Sequence, residues 1–219
     1  MKSFAVIGCG RFGSAVARTL FELGNEVLAI DGDEEVVDAI SQDVTHAVQA
    51  DVMDEGVLHE LGLKNVDVAI VSIGSDIKAS IMATLIVKEL GVKKVVAKAQ
   101  SELHGKVLKK IGADKVIFPE RDMGVRVAHN LASQSIIDYI ELSPDYSIWD
   151  ITAIPTWYNK TLGDLKLRNK FGINVMAIKR YDSIIVSPDP QDEIKIGDVL
   201  VVLGSTEDIA RLESKAGDF

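Results

Sequence analysis

The stretch Phe4-Ala5-Val6-Ile7-Gly8-Cys9-Gly10-Arg11-Phe12-Gly13 decides how this chain is read. An apolar, strand-like run enters a G-x-G-x-x-G turn, and Ser14 to Leu23 continues as a helix-like run. A second strand-like run, Glu26–Asp31, follows and ends on an acid. Strand, glycine turn, helix and strand-end carboxylate, in that order, form the fingerprint of a nucleotide site on a doubly wound sheet. Gly8 permits the tight turn, Gly10 lets backbone approach a diphosphate, and Gly13 lets the helix pack closely on the strand. The helix start adds unpaired N–H groups and partial positive charge, both suited to phosphate.

The same alternation continues outward to about residue 120. Strand-like runs occur at Ser3–Ile7, Glu26–Asp31, His46–Gln49, Val66–Ile73, Lys94–Ala99 and Lys115–Phe118. Several are unbroken Val/Ile/Ala runs, as expected of parallel strands covered on both faces. The intervening helices end at Gly24, Gly62, Gly91 and Gly112, each in a C′ position. Repeated strand, helix, glycine, strand units predict an α/β, Rossmann-like, doubly wound parallel sheet.

The pattern changes after Pro119. Glu120 to about Ser133 predicts a long helix, followed by an apolar stretch through Ile136, Ile137, Tyr139, Ile140 and Leu142. Ser143-Pro144-Asp145 is a turn. Beyond it, strands are expected at Ser147–Ile154, Asn174–Lys179, Ser183–Ser187 and Val199–Leu203. A short helix is expected at Thr161–Asn169 and a final one at Thr206–Lys215, capped by Ser205 with Asp208 at N3. The organisation is therefore a nucleotide-binding lobe over residues 1–133, a crossover linker over 134–144, and a small α+β lobe over 145–219. So small a core gains from being covered by a second copy.

Composition narrows the function classes. Among 219 residues, 47% are hydrophobic, enough for a substantial core. The net charge of −9, without a basic run, argues against nucleic acid. Cys9 is the single cysteine, so no internal disulfide is available. A strand begins almost at the first residue, and no apolar run reaches the length of about twenty residues that spans a bilayer. The expectation is a soluble, cytoplasmic chain that can still dock on a membrane protein.

Within this frame Gly8, Gly10, Arg11, Phe12 and Gly13 form the phosphate side of the site. Arg11 stands at a helix N-terminus, where positive charge is mildly unfavourable, and its guanidinium fork suits phosphate oxygens. Asp31 is placed to accept from ribose hydroxyls, which also argues against a 2′-phosphate; its other reading is a helix N-cap. Asp51 and Val52 either lie at the adenine edge or form a plain strand-end turn. Ser72-Ile73-Gly74 either lines the phosphate or ribose side or simply turns. Lys98 on an otherwise apolar strand calls for a phosphate or carboxylate partner. Glu120 fits the acid preference of a first helical turn. The four histidines lack zinc-like spacing and read as surface or helix-face residues.

Several further segments carry a family resemblance. Together with the opening stretch, Lys98-Ala99-Gln100, Ile111-Gly112-Ala113-Asp114, Pro119-Glu120-Arg121-Asp122-Met123 and Ala177-Ile178-Lys179 resemble the RCK (KTN) family of cytosolic regulators of potassium channels and transporters. The likeness covers essentially the whole chain; Cys9 departs from the Leu expected there in many members. The resemblance implies dimers assembled into an octameric ring on a separate membrane-embedded potassium-translocating subunit. It implies ATP and ADP competing for the fingerprint site, with NAD(H) as another ligand of some members. It places Arg11 against the terminal phosphate of nucleotide on the neighbouring subunit, and makes Glu120 a ligand of Mg²⁺ or Ca²⁺. It also likens the run Leu167 to Asn174 to lobes that bind cyclic di-AMP at a two-fold interface, with Arg168, Asn174 and Pro188 as the candidate contacts. The alternative is an NAD-dependent oxidoreductase, which a Rossmann lobe always raises. No Tyr-x-x-x-Lys, His–Asp pair or reactive cysteine constellation accompanies it.

Overall fold

The computed structural model describes residues 1–132, 136–143 and 145–216. Contacts gather the chain into two units, residues 1–121 and 122–219. The expected division at residue 133/134 and Pro144 of the expected turn lie outside the described residues.

The first unit alternates β1 (Ser3–Ile7), α1 (Arg11–Glu22), β2 (Glu26–Asp31), α2 (Glu34–Ile40), β3 (His46–Gln49), α3 (Glu55–Glu60), β4 (Val68–Val71), α4 (Ile77–Glu89), β5 (Lys94–Lys98), α5 (Glu102–Lys110) and β6 (Lys115–Ile117). All six strands are parallel, in the order β3-β2-β1-β4-β5-β6. That is the Rossmann order. The chain reverses its direction of travel across the sheet at β1, so a crevice opens beyond the carboxyl ends of β1 and β4. Ala5, Ile7, Ile30, Val71, Val95 and Ala97 are buried against the helices, which is why the strands are apolar throughout. Asp33, Asp54, Asp76 and Ser101 cap α2, α3, α4 and α5 with their side chains. Gly24, Gly62, Gly91 and Gly112 have the positive φ expected of helix ends.

α6 (Pro119–Ala132) crosses the boundary between the units, starting one residue before the expected Glu120; Ser133, its expected end, lies outside the described residues. The second unit continues with β7 (Ile136–Glu141), β8 (Tyr146–Thr152), α7 (Leu162–Leu165), α8 (Leu167–Phe171), β9 (Asn174–Arg180), β10 (Ser183–Val186), β11 (Val199–Ser205) and α9 (Thr206–Ala216). Its strands form an antiparallel sheet, β10-β9-β11-β8-β7. β8 and β11 alternate strictly, and Trp149, Ile151, Leu200 and Val202 meet Ile209 and Leu212 in one core. Ser205 accepts from the Asp208 N–H at 3.1 Å, as its capping role requires.

Two elements differ from expectation. Residues 136–141, expected in the linker, form the edge strand β7 paired with β8. A register shift between Ile136 and Asp138 breaks the simple alternation that would have announced it. The helix expected over Thr161–Asn169 is split at Lys166, whose φ is +48°. Leu165 and Leu167 are both buried, yet residues two apart point away from each other on a continuous helix. The break turns both into the core.

Candidate functional site

Beyond β1 the backbone turns at Gly8, where φ is +89°. The Gly8 N–H donates to the Ile30 carbonyl at 2.8 Å, and the Ser72 N–H donates to the Ile7 carbonyl at 2.8 Å. The Ser72 hydroxyl donates to the Gly8 carbonyl at 2.5 Å. The turn is thus pinned to β2 on one side and to the end of β4 on the other. A Cβ on Gly13 would stand 2.0 Å from the Gly8 carbonyl oxygen and 2.5 Å from the Ser72 hydroxyl, so only glycine lets α1 approach this closely. A Cβ on Gly10 would meet open space. Gly10 therefore leaves room where a diphosphate would approach. α1 has no side-chain cap and no acid in its first turn. Its leading N–H groups face a cavity of about 660 Å³.

Gly8, Gly10, Arg11 and Phe12 line that cavity, as do Asp31, Val52, Ile73, Gly74, Lys98 and Glu120, all of them singled out by sequence. Gly13 packs beneath it. Asp31 accepts from the Cys9 N–H at 2.6 Å and from the Asp33 N–H at 3.0 Å. The N-cap role falls instead to Asp33, which accepts from the Glu35 N–H. Asp31 is left with spare acceptor capacity toward the cavity. Asp51 is outside the lining: it is exposed, and its carboxylate accepts from the Met53 N–H at 2.9 Å. It serves the strand-end turn, the plainer of its two readings. Asp33 and Val36 line the wall without having been foreseen as binding residues. Their signal was proximity to Asp31, masked by their place at the start of α2.

Lys98 is buried, and its ammonium sits 2.5 Å from Glu120 Oε1. The Phe12 ring centroid is 5.8 Å away. The partner required for Lys98 is thus a carboxylate of the same chain. The hydrogen bond from Lys98 is the main reason the Glu120 carboxyl titrates below its usual range; desolvation works against it, and Arg11 adds a smaller pull. No cluster of three or more His, Cys, Asp or Glu side chains fit for a metal occurs among the described residues. A cation at Glu120 would need further oxygens from a phosphate or another copy. Cys9 is a packing residue. Burial first, and the Asp31 charge second, push its thiol up to about 11, so it stays protonated.

In the second unit, Arg168, Asn174 and Pro188 come together along a groove of about 230 Å³. Leu167 and Ile173 form its buried apolar floor. The left-handed Lys166 carries Arg168 out to the rim. The arrangement offers an exposed guanidinium beside an amide and an apolar surface.

The chain matches the TrkA-N domain over residues 4–119 and the TrkA-C domain over residues 151–217. It is 50% identical over 214 residues to Ktr system potassium uptake protein C of Bacillus subtilis (strain 168), covering 98% of this chain and 97% of that protein. It is 44% identical over 214 residues to Ktr system potassium uptake protein A of the same organism, covering 98% and 96%. The crystal structure of the GsuK RCK domain superposes with a TM-score of 0.71 at 18% identity, over 99% of this chain and 48% of that one. Among the described residues no helix is long and apolar enough to cross a membrane.

Proposed function

The chain belongs to the RCK (KTN) family, built of TrkA-N and TrkA-C domains, and we propose that it is the nucleotide-sensing regulatory subunit of a membrane potassium-uptake system. Near-full-length relatives named for Ktr potassium uptake support the transport side of this reading. The observation that carries the sensing side is the first-unit cavity. A glycine turn, an uncapped helix start, a strand-end Asp31 and the cations Arg11 and Lys98 share one wall. Peptide N–H groups and cations suit phosphates, and Asp31 suits ribose hydroxyls.

The ligand is ATP or ADP, with NAD(H) as the other candidate of the same chemistry. Exchange between nucleotides changes the shape of a homo-oligomeric ring, an octamer assembled from dimers, and the ring biases a membrane-embedded potassium-translocating subunit. Such control needs a ligand with different affinity for the two shapes. Arg11 supplies the difference if it reaches the terminal phosphate on the neighbouring subunit. Mg²⁺ or Ca²⁺ binds with Glu120 as one oxygen ligand. Cyclic di-AMP takes the second-unit groove, with Arg168 on a phosphate and Asn174 at a base edge, a two-fold ligand suiting a symmetric dimer. The protein works at the inner face of the cell membrane and binds without turnover.

Identification by mass of the nucleotide that copurifies, followed by calorimetry with ATP, ADP and NADH, tests the reading. Binding of ATP and ADP is the expected result. Substrate-dependent oxidation of NADH by the purified protein would favour the oxidoreductase alternative instead.

A further inference from the structure

Lys98 and Glu120 are unequal partners. The lysine residue is 8% exposed at the end of β5, with the Phe12 ring on one side and Gly74 on another. A Cβ built on Gly74 would stand 3.3 Å from Nζ, so the ammonium lies against bare backbone in the loop that follows β4. Glu120 lies at the start of α6, and 69% of its side chain is exposed. The ammonium is held in place. The carboxylate has solvent to retreat into. Both line the wall that also carries Gly8, Gly10 and Arg11.

A buried ammonium needs an anion, and leaving it unpaired is costly. A carboxylate and a phosphoryl group offer it the same thing: anionic oxygens at hydrogen-bond distance. We propose that Glu120 is an internal stand-in for phosphate, holding the Lys98 ammonium in the ligand-free cavity until an incoming phosphoryl group displaces it. The inference rests on the nucleotide reading above and deepens it. Glu120 then sets affinity in two opposite ways. Without a divalent cation it competes with the ligand. With one, the displaced carboxylate is free to hold the cation, so cation and nucleotide favour each other. Adenosine, which has no phosphate, does not engage the exchange.

Calorimetry in EDTA isolates the competition. ATP, ADP and adenosine are titrated into wild type, Glu120→Gln, Lys98→Gln and the double variant. Glu120→Gln is expected to bind ATP and ADP about tenfold more tightly than wild type, the scale of one charge-assisted hydrogen bond, with adenosine unchanged. The gain should vanish in the Lys98→Gln background. Unchanged or weaker binding by Glu120→Gln would overturn the proposal. A gain that survives Lys98→Gln would overturn it too, because removal of a negative charge would then suffice. If Glu120→Gln does not fold, Glu120→Asp, one methylene shorter, should give a smaller gain with the same dependence on Lys98, and none would count against it. Wild type that binds neither ATP, ADP nor NADH would remove the nucleotide reading with it. Wild type that binds while the variants show no gain removes this inference alone.

Discussion

In residues 1–121 glycines bring bare backbone into the cavity wall, at the Gly8 turn, at Gly10 before α1 and at Gly74 beyond β4, and the side chains of the site are set around that backbone. In residues 122–219 the groove is largely side chain, an exposed arginine on a five-residue helix over an apolar floor. A backbone-built site is fixed by the packing of its sheet. A side-chain-built one depends on a few exposed groups above a core that is stabilised separately. The first site should therefore fail together with its fold, and the second should be removable without unfolding anything.

The largest expected effect lies in the core of the second unit. Asp198 is fully buried and accepts from Arg180 through Nε at 2.7 Å and Nη2 at 2.6 Å, and from the Lys195 N–H at 2.8 Å. Asp198→Ala leaves the Arg180 guanidinium with the Glu193 carbonyl but without its carboxylate, and should cost about 4 kcal/mol. The chain has two tryptophans, Trp149 and Trp157, both buried in this unit, so their fluorescence reports its unfolding. Next comes Gly13→Ala, whose methyl would collide with the Gly8 carbonyl. It should cost the first unit about 3 kcal/mol, seen by circular dichroism, and should abolish ADP binding. The tryptophan midpoint should stay put; a parallel shift would erase the distinction between the two regions. Arg11→Ala should leave both folds intact and weaken ATP about tenfold while sparing ADP, read by calorimetry. Equal losses would remove Arg11 from the terminal phosphate.

The smallest effect is acid-dependent and belongs to the second unit. A two-pronged hydrogen bond from Arg126, aided by the Tyr139 N–H, holds the Asp138 carboxyl down to about 2 against its desolvation. A carboxyl whose folded value is depressed contributes stability above its ordinary value near 3.8 and loses it as pH falls through the folded one. Stability of the second unit should therefore decline as pH drops from about 4 toward 2. Asp138→Asn should flatten that slope in the Trp149 signal, and an unchanged slope would assign it to other carboxylates.

The first unit was legible because its signals are local. Buried parallel strands are continuously apolar, helix ends need glycine, and the fingerprint states its own geometry. What escaped depended on pairing over distance. β7 hid behind a register shift, and the break at Lys166 follows from two leucines entering one core. Lys98 was visible as an unusual residue, whereas Glu120 read as an ordinary first-turn acid that only the resemblance singled out. Their pairing needs β6 beside β5, which carries the chain back so that α6 starts next to the end of β5. Asp51 was ambiguous for the opposite reason: a carboxylate after a strand serves a turn as readily as a ligand, and here it accepts from the Met53 N–H. The groove residues were found through resemblance alone, since no local pattern marks Arg168, Asn174 and Pro188 as neighbours.

A nucleotide sensor must do more than bind; ATP and ADP must favour different shapes of one assembly. Small-angle scattering of the wild-type protein, saturated with each nucleotide in turn, measures this directly. The expected result is one particle mass with two distinct radii of gyration. Superimposable profiles at saturation would contradict a nucleotide-driven switch.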